Sequence, residues 1–164
     1  MSLKNLQDVS YFKLNNEINR PVNGQIPLNK DKEALVAFFE ENVKPNTMTF
    51  PSIMEKINYL IDQEYIEAEF IQLYSPSFIE KLYQFLDEQH FSFKSFMAAY
   101  KFYSQYALKT NDGSAYLETY EDRVAFNALY FANGDEELAL ALADEMIHQR
   151  YQPATPSFLN AGRK

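Results

Sequence analysis

The sequence predicts a mainly α-helical protein with a short irregular or β-hairpin stretch at its N-terminus. Three observations carry that prediction. Between Lys30 and Tyr151 apolar residues recur at intervals of three and four, the spacing that lines one face of a helix. Prolines, serines and aspartates stand at the edges of these periodic runs, where helices start and stop. Strand character is confined to residues 1–30.

In chain order, residues 12–14 and 26–28 read as two short strands around Asn23-Gly24, a pair that accepts the positive φ of a tight hairpin turn. Pro21 and Pro27 keep any such hairpin short and edge-like. A helix follows from Lys30, with Asp31 as its N-cap, Leu35, Phe38, Phe39 and Val43 as its stripe, and Pro45 as its stop. The next begins at Pro51-Ser52 and carries Ile53, Ile57, Leu60 and Ile61, with Tyr65, Phe70 and Leu73 in a following segment. Ser75-Pro76 opens another, striped by Ile79, Leu82, Tyr83 and Leu86. Proline is tolerated there because the N–H it lacks would have no helical partner in a first turn.

Residues 95–108, "SFMAAYKFYSQYAL", are so rich in apolar and aromatic side chains that they predict a central helix buried on most sides. Residues 109–114, "KTNDGS", form a turn by composition. Residues 120–133 and 135–151 then predict an antiparallel pair of helices, with Gly134 supplying a left-handed residue between them and Asp135 capping the second. Residues 152–164, "QPATPSFLNAGRK", read as a stiff loop, because Pro153 and Pro156 fix their own backbones and hold Gln152 and Thr155 extended. There is no internal repeat and no low-complexity segment.

Composition narrows the function classes. With 15 basic and 23 acidic residues the chain carries a net charge of −8, which disfavours non-specific binding to nucleic acid. No run of 18 apolar residues exists and the opening MSLKNLQDVS lacks a signal-peptide core, so the expectation is a cytoplasmic protein that does not enter a membrane. There is no cysteine, hence no disulfide, thiolate metal site or thiol chemistry from these residues alone. The 12 tyrosines and 14 phenylalanines fall mostly at helical spacings and read as core, since a base-stacking surface would come with a basic groove.

Two sequence patterns suggest metal. Asp87 precedes His90 and Glu145 precedes His148 by three residues, the spacing of carboxylate-bridged di-iron bundles. Helical projection opposes it: Leu138, Ala139, Leu142, Ala143, Met146 and Ile147 share one arc, while Glu137, Asp144, Glu145 and His148 share the opposite one. His90 stands where its helix ends, a position the dipole favours without a metal. The acidic groups Glu40-Glu41 and Glu64, Glu67, Glu69 lack a nucleophile and read as solvated faces. The four glycines are too scattered for a phosphate loop or dinucleotide fingerprint. The sequence therefore offers no catalytic and no metal-ligating residue. What remains is the final stretch, which on its chemistry alone reads first as an exposed linker of ordinary turn residues, although the hydroxyls of Thr155 and Ser157 beside backbone N–H groups also suit phosphate oxygens.

At those residues a resemblance enters. "YQPATPSFLNAGRK" resembles the segment of ribonucleotide reductase large subunits that leads from the N-terminal helices into the catalytic α/β barrel. "SFMAAYKFYSQYALKTNDG", "LETYEDRVAFNALYFANGD" and "FKLNNEI...NKDKEALVAFFEENV" are similar to the α subunit of class Ib, the manganese- or iron-dependent aerobic form. The resemblance covers nearly the whole chain but only the start of such an enzyme. It implies a class Ib-type region with a shortened ATP-cone remnant plus helices over residues 1–86. Over residues 87–164 it implies the opening of the all-α N domain, truncated before the barrel.

The resemblance also implies a function: reduction of ribonucleoside diphosphates to deoxyribonucleoside diphosphates for DNA synthesis. Family members use a cysteine thiyl radical and a redox cysteine pair, so this cysteine-free segment is expected to be inactive alone and to contribute one wall of the substrate site. Thr155 matches the Thr or Ser before Pro that contacts the substrate diphosphate, with Ala154 beside it, and Ser157 replaces the more usual second Thr while keeping the hydroxyl. No cofactor is expected on this segment. The complete enzyme is expected to be a homodimer that takes nucleotide effectors, a radical from a dimanganese or diiron β subunit and electrons from a glutaredoxin-like reductant. The alternative is a self-standing helical interaction module.

Overall fold

The computed structural model describes residues 10–18, 20–25 and 27–164. Its helices are α1 (Ser10–Ile18), α2 (Asn29–Phe38), α3 (Ile53–Asp62), α4 (Ala68–Ile71), α5 (Pro76–Glu88), α6 (Phe96–Lys101), α7 (Tyr120–Ala132), α8 (Glu136–Ile147) and α9 (Thr155–Asn160). Among the described residues there is no sheet; β-type pairing is limited to isolated bridges. The fold is mainly α, as the periodicity predicts. The chain forms two compact units, one from Met1–Met48 and Ser92–Leu117, the other from Thr49–Phe91 and Glu118–Lys164.

The first unit corrects the hairpin expectation. Residues 12–14 belong to α1, because Tyr11, Leu14 and Ile18 lie at helical spacing and Tyr11 buries against Phe38 (ring centroids 5.2 Å apart) and Phe96 (5.9 Å). The Asn23-Gly24 turn is present, with φ of 52° and 77° and a Val22–Gln25 bridge closed by two hydrogen bonds of 2.9 and 3.0 Å. No strand extends from it; residue 28 turns directly into α2, and Ile26 lies outside the described residues.

Asp31 does not cap its own helix. Its carboxylate accepts from the backbone N–H of Phe96 at 3.2 Å, while Ser95 Oγ accepts from Ala98 N, so two side chains satisfy the start of α6. The stretch 95–108 is likewise not one α-helix. After Lys101 it passes into a π-helical turn, Phe102–Tyr106, closed by the bond from Ala107 N–H to Phe102 O. The same happens after α2, at Phe39–Val43, closed by Lys44 N–H to Phe39 O. The cause is visible in burial. Phe38 and Val43, and Phe102 and Ala107, are buried pairs five residues apart, which an α-helix would splay by about 140° and a wider turn brings to one side.

In the second unit the sequence signals largely hold. Ser52 caps α3, Ser75 caps α5 with Pro76 in the first turn, and Asp135 caps α8 by accepting from Leu138 N at 2.9 Å. Asn133 (φ 47°) and Gly134 (φ 94°) both take left-handed conformations in the α7–α8 connection. Tyr74 pins that connection: its hydroxyl accepts from Gly134 N at 2.8 Å and donates to Leu129 O at 2.9 Å. The helix buried on most sides is α7, not residues 95–108, where Met97 is 52% exposed. Arg123 through Leu129 is buried without interruption.

Candidate functional site

Residues 152–164 are not a loop throughout: 152–154 have no regular structure, and a short helix follows. Thr155–Asn160 is helical, with Ala154 at the N-cap and Pro156 in the first turn. The prolines that suggested an extended segment instead start a helix, since a fixed φ near −65° and a missing N–H suit that position. Phe158 supplies the second cause: its side chain is 1% exposed, and one helical turn swings it inward against Tyr120, with ring centroids 6.2 Å apart. Ala154, Thr155 and Ser157 are all exposed at the start of this helix, so the structure brings the three sequence-predicted residues together on one helical turn.

The far end of α9 is held by polar side chains from α7. Asn127 Nδ2 donates to Phe158 O at 3.1 Å and to Arg123 O at 2.8 Å. Arg123 Nη1 donates to Leu159 O at 3.4 Å and its Nη2 donates to Ala161 O. The last carbonyls of a helix have no helical partner, and here a buried amide and a guanidinium supply one. Glu118 neutralises the charge. Its Oε1 accepts from Arg123 at 3.2 Å and its Oε2 from Arg163 at 2.5 Å. Arg123 and Glu118 are fully buried, and burial pulls the guanidinium below its ordinary pKa while Glu118 opposes the shift. Arg163 is further tied to the body by the Ile66–Arg163 bridge.

The first turn of α7 carries a second buried node. Thr119 and Asp122 form a capping box, with Thr119 N donating to Asp122 Oδ2 at 2.7 Å and Asp122 N to Thr119 Oγ1 at 3.3 Å. Asp122 also accepts from Lys56 of α3 at 2.5 Å and from Tyr83 of α5 at 3.1 Å. One carboxylate thus ties three helices together. Burial, reinforced by Asp122, holds the Tyr83 phenol well above its ordinary pKa.

Sequence reading did not single out Glu118, Asp122, Arg123, Asn127 and Arg163. A signal was present: Thr119 and Asp122 have capping-box spacing, and Arg123 and Asn127 stand four apart within the otherwise apolar "RVAFNALYF". The two carboxylate–histidine pairs lead elsewhere. His148 is exposed and engages Asp144, with Nδ1 3.1 Å from Oδ1; Glu145 pairs with Arg150; and His90 is an exposed residue with φ 49° just past α5. Among the described residues no group of three or more histidine or carboxylate side chains is placed to hold a metal ion, and no helix is long and apolar enough to cross a membrane.

Comparison with known proteins covers nearly the whole chain. Residues 11–91 match the family model "Ribonucleotide reductase N-terminal", and residues 92–164 match "Ribonucleotide reductase, all-alpha domain". The ribonucleoside-diphosphate reductase subunit alpha of Bacillus subtilis is 47% identical over 154 residues, covering 94% of this chain and 22% of that protein. A subunit alpha of Bacillus phage SPbeta is 48% identical over 155 residues, covering 94% of this chain and 14% of that protein. The subunit alpha of Mycoplasma pneumoniae is 46% identical over 134 residues, covering 82% and 19%. The chain therefore spans about a fifth or less of the length of these relatives. With consecutive matches running from residue 11 to residue 164, it belongs to the ribonucleotide reductase family, to the N-terminal and all-α part of the α subunit.

Proposed function

We propose that this chain is the N-terminal part of a class Ib ribonucleoside-diphosphate reductase α subunit and that it forms one wall of the substrate site. Ala154, Thr155 and Ser157 meet the substrate's diphosphate there. The observation that carries the reading is the arrangement of α9. Two exposed hydroxyl residues, Thr155 and Ser157, stand at its start, and its end is fixed by Arg123 and Asn127, so the segment is positioned before substrate arrives and little ordering remains to oppose binding. Pro153 is buried and Pro156 sits in the first turn, which stiffens the entry to the helix.

In the complete subunit the reduction itself falls to cysteines outside this sequence, which has none. Nucleotide effectors, a dimanganese or diiron β subunit as radical source, a glutaredoxin-like reductant, a homodimeric state and a cytoplasmic setting belong to the same proposal. The test is reductase activity. A polypeptide carrying this sequence at the relatives' length, supplied with a radical-generating β subunit and a dithiol, converts CDP to dCDP, and the 164-residue chain under the same conditions does not. Turnover by the cysteine-free chain alone contradicts the proposal.

A further inference from the structure

A groove in the second unit takes no part in the proposed substrate contacts. It lies between α4, the turn that follows it and the C-terminal end of α7, with a volume of about 490 Å³. Its floor is apolar. Phe70 and Tyr130 meet edge to face at 5.8 Å, and the backbone at Gly134 lies against Leu73. Leu73 and Tyr130, which both line the groove, are 50% and 40% exposed, so two large apolar side chains face its opening.

The rim is acidic. Glu67 and Glu69 line the groove beside Asn133, and among the described residues neither has a cationic partner, whereas neighbouring Glu64 is engaged by Lys164 at 3.5 Å. An apolar floor alone would accept any hydrophobic surface. Carboxylates beside aromatic rings select a cation on an apolar stem, whose methylenes lie on Leu73 and Phe70 while its head meets Glu67, Glu69 and the face of Tyr130. The net charge of −8 points the same way, attracting a basic partner.

We propose that this groove docks a basic, amphipathic segment of a separate polypeptide, with an Arg or Lys between Glu67 and Glu69 and an adjacent apolar residue on Leu73 and Tyr130. The chain has no tryptophan, so a tryptophan in a peptide reports its own binding without background. The probe is acetyl-Arg-Trp-Leu-Arg-amide, titrated into the 164-residue protein, with the Glu-Trp-Leu-Glu peptide as control. The basic peptide should give a saturable blue shift with Kd below about 1 mM, weakened roughly tenfold in Glu67→Gln/Glu69→Gln and by added salt. These side chains are on the surface, and a melting curve confirms that the variant is folded. Absence of saturation, equal binding of the acidic peptide, or an unchanged Kd in the double variant overturns the proposal. So does self-association by sedimentation that Tyr130→Ser abolishes, which assigns the groove to a second copy. Loss of peptide binding when the chain is extended to the relatives' length assigns it to a later segment of the same chain and overturns it equally.

Discussion

The guanidinium of Arg123 donates to the carbonyl of Ala161, 38 residues further along the chain, from a position with no solvent exposure. A charge is buried to fix a short terminal helix. Desolvating an arginine is costly, and the cost is offset only because Glu118 and the carbonyls of Leu159 and Ala161 receive it together.

Removing one member should therefore cost more than an ordinary core change. Arg123→Met leaves Glu118 with Arg163 as its remaining guanidinium partner and leaves two carbonyls without theirs, which should lower stability by about 3–5 kcal/mol. Arg123→Met/Glu118→Gln should cost less than the sum of the single changes, by on the order of 1–3 kcal/mol. Guanidinium chloride unfolding of the three variants measures both. Additive costs would mean that the pair is not coupled.

Gly162 has φ of +70°, and a Cβ placed on it would stand 2.6 Å from Cε1 and Cζ of Phe70. Its carbonyl also accepts from Glu67 N at 2.9 Å, so the backbone has little room to move away. Gly162→Ala should destabilise by about 1–3 kcal/mol through combined backbone strain and overpacking. Gly113→Ala shares the positive φ but meets nothing within 4 Å, and it should cost less. Thermal melts of the two variants separate strain from crowding.

The tyrosines predict an alkaline weakness. Burial raises the phenol pKa of Tyr11, Tyr74, Tyr83, Tyr116 and Tyr120, with nearby carboxylates adding at Tyr83. A folded value above the unfolded 10.0 means that the neutral phenol is favoured in the fold. The associated stability is fully present below pH 10 and is lost as pH rises from there through the folded values. Melting temperature should hold its tyrosine contribution to about pH 10 and fall beyond it. Tyr83→Phe should cost about 1 kcal/mol at pH 7, for the lost bond to Asp122, and flatten part of the alkaline fall. An alkaline limb unchanged by Tyr83→Phe would remove Tyr83 as its cause.

Much of the second unit was legible from local chemistry. Helices start at Ser52 and Ser75 as the sequence predicts and Asp135 caps the helix it is expected to cap, because each such start needs only a side chain and the next N–H groups along the chain. Asp31 failed for the opposite reason. Its partner, Phe96 N, lies 65 residues away, and no local pattern encodes that distance. The π-helical turns after Phe38 and Lys101 were missed because stripes at three and four leave no place for buried pairs five apart. Prolines misled at the chain's end, where Phe158 finds a buried site that favours a helical turn over an extended one. Thr155 and Ser157 stand out in the sequence as hydroxyl residues among prolines and are exposed on one helical turn, but the buried Arg123–Glu118–Arg163 cluster depends on tertiary packing.

The measurement that tests the account most directly is substrate kinetics on Thr155→Val in the complete reductase. The hydroxyl of Thr155, an exposed residue at the start of α9, should hold a terminal phosphate oxygen of the substrate, a charge-assisted bond worth on the order of 1.5–3 kcal/mol, so its removal should weaken binding roughly ten- to a hundredfold. The loss should be similar for all four ribonucleoside diphosphates, because a phosphate contact does not read the base. Unchanged KM and kcat with every substrate would contradict the account, and a loss confined to one base would move Thr155 from the diphosphate to the nucleobase.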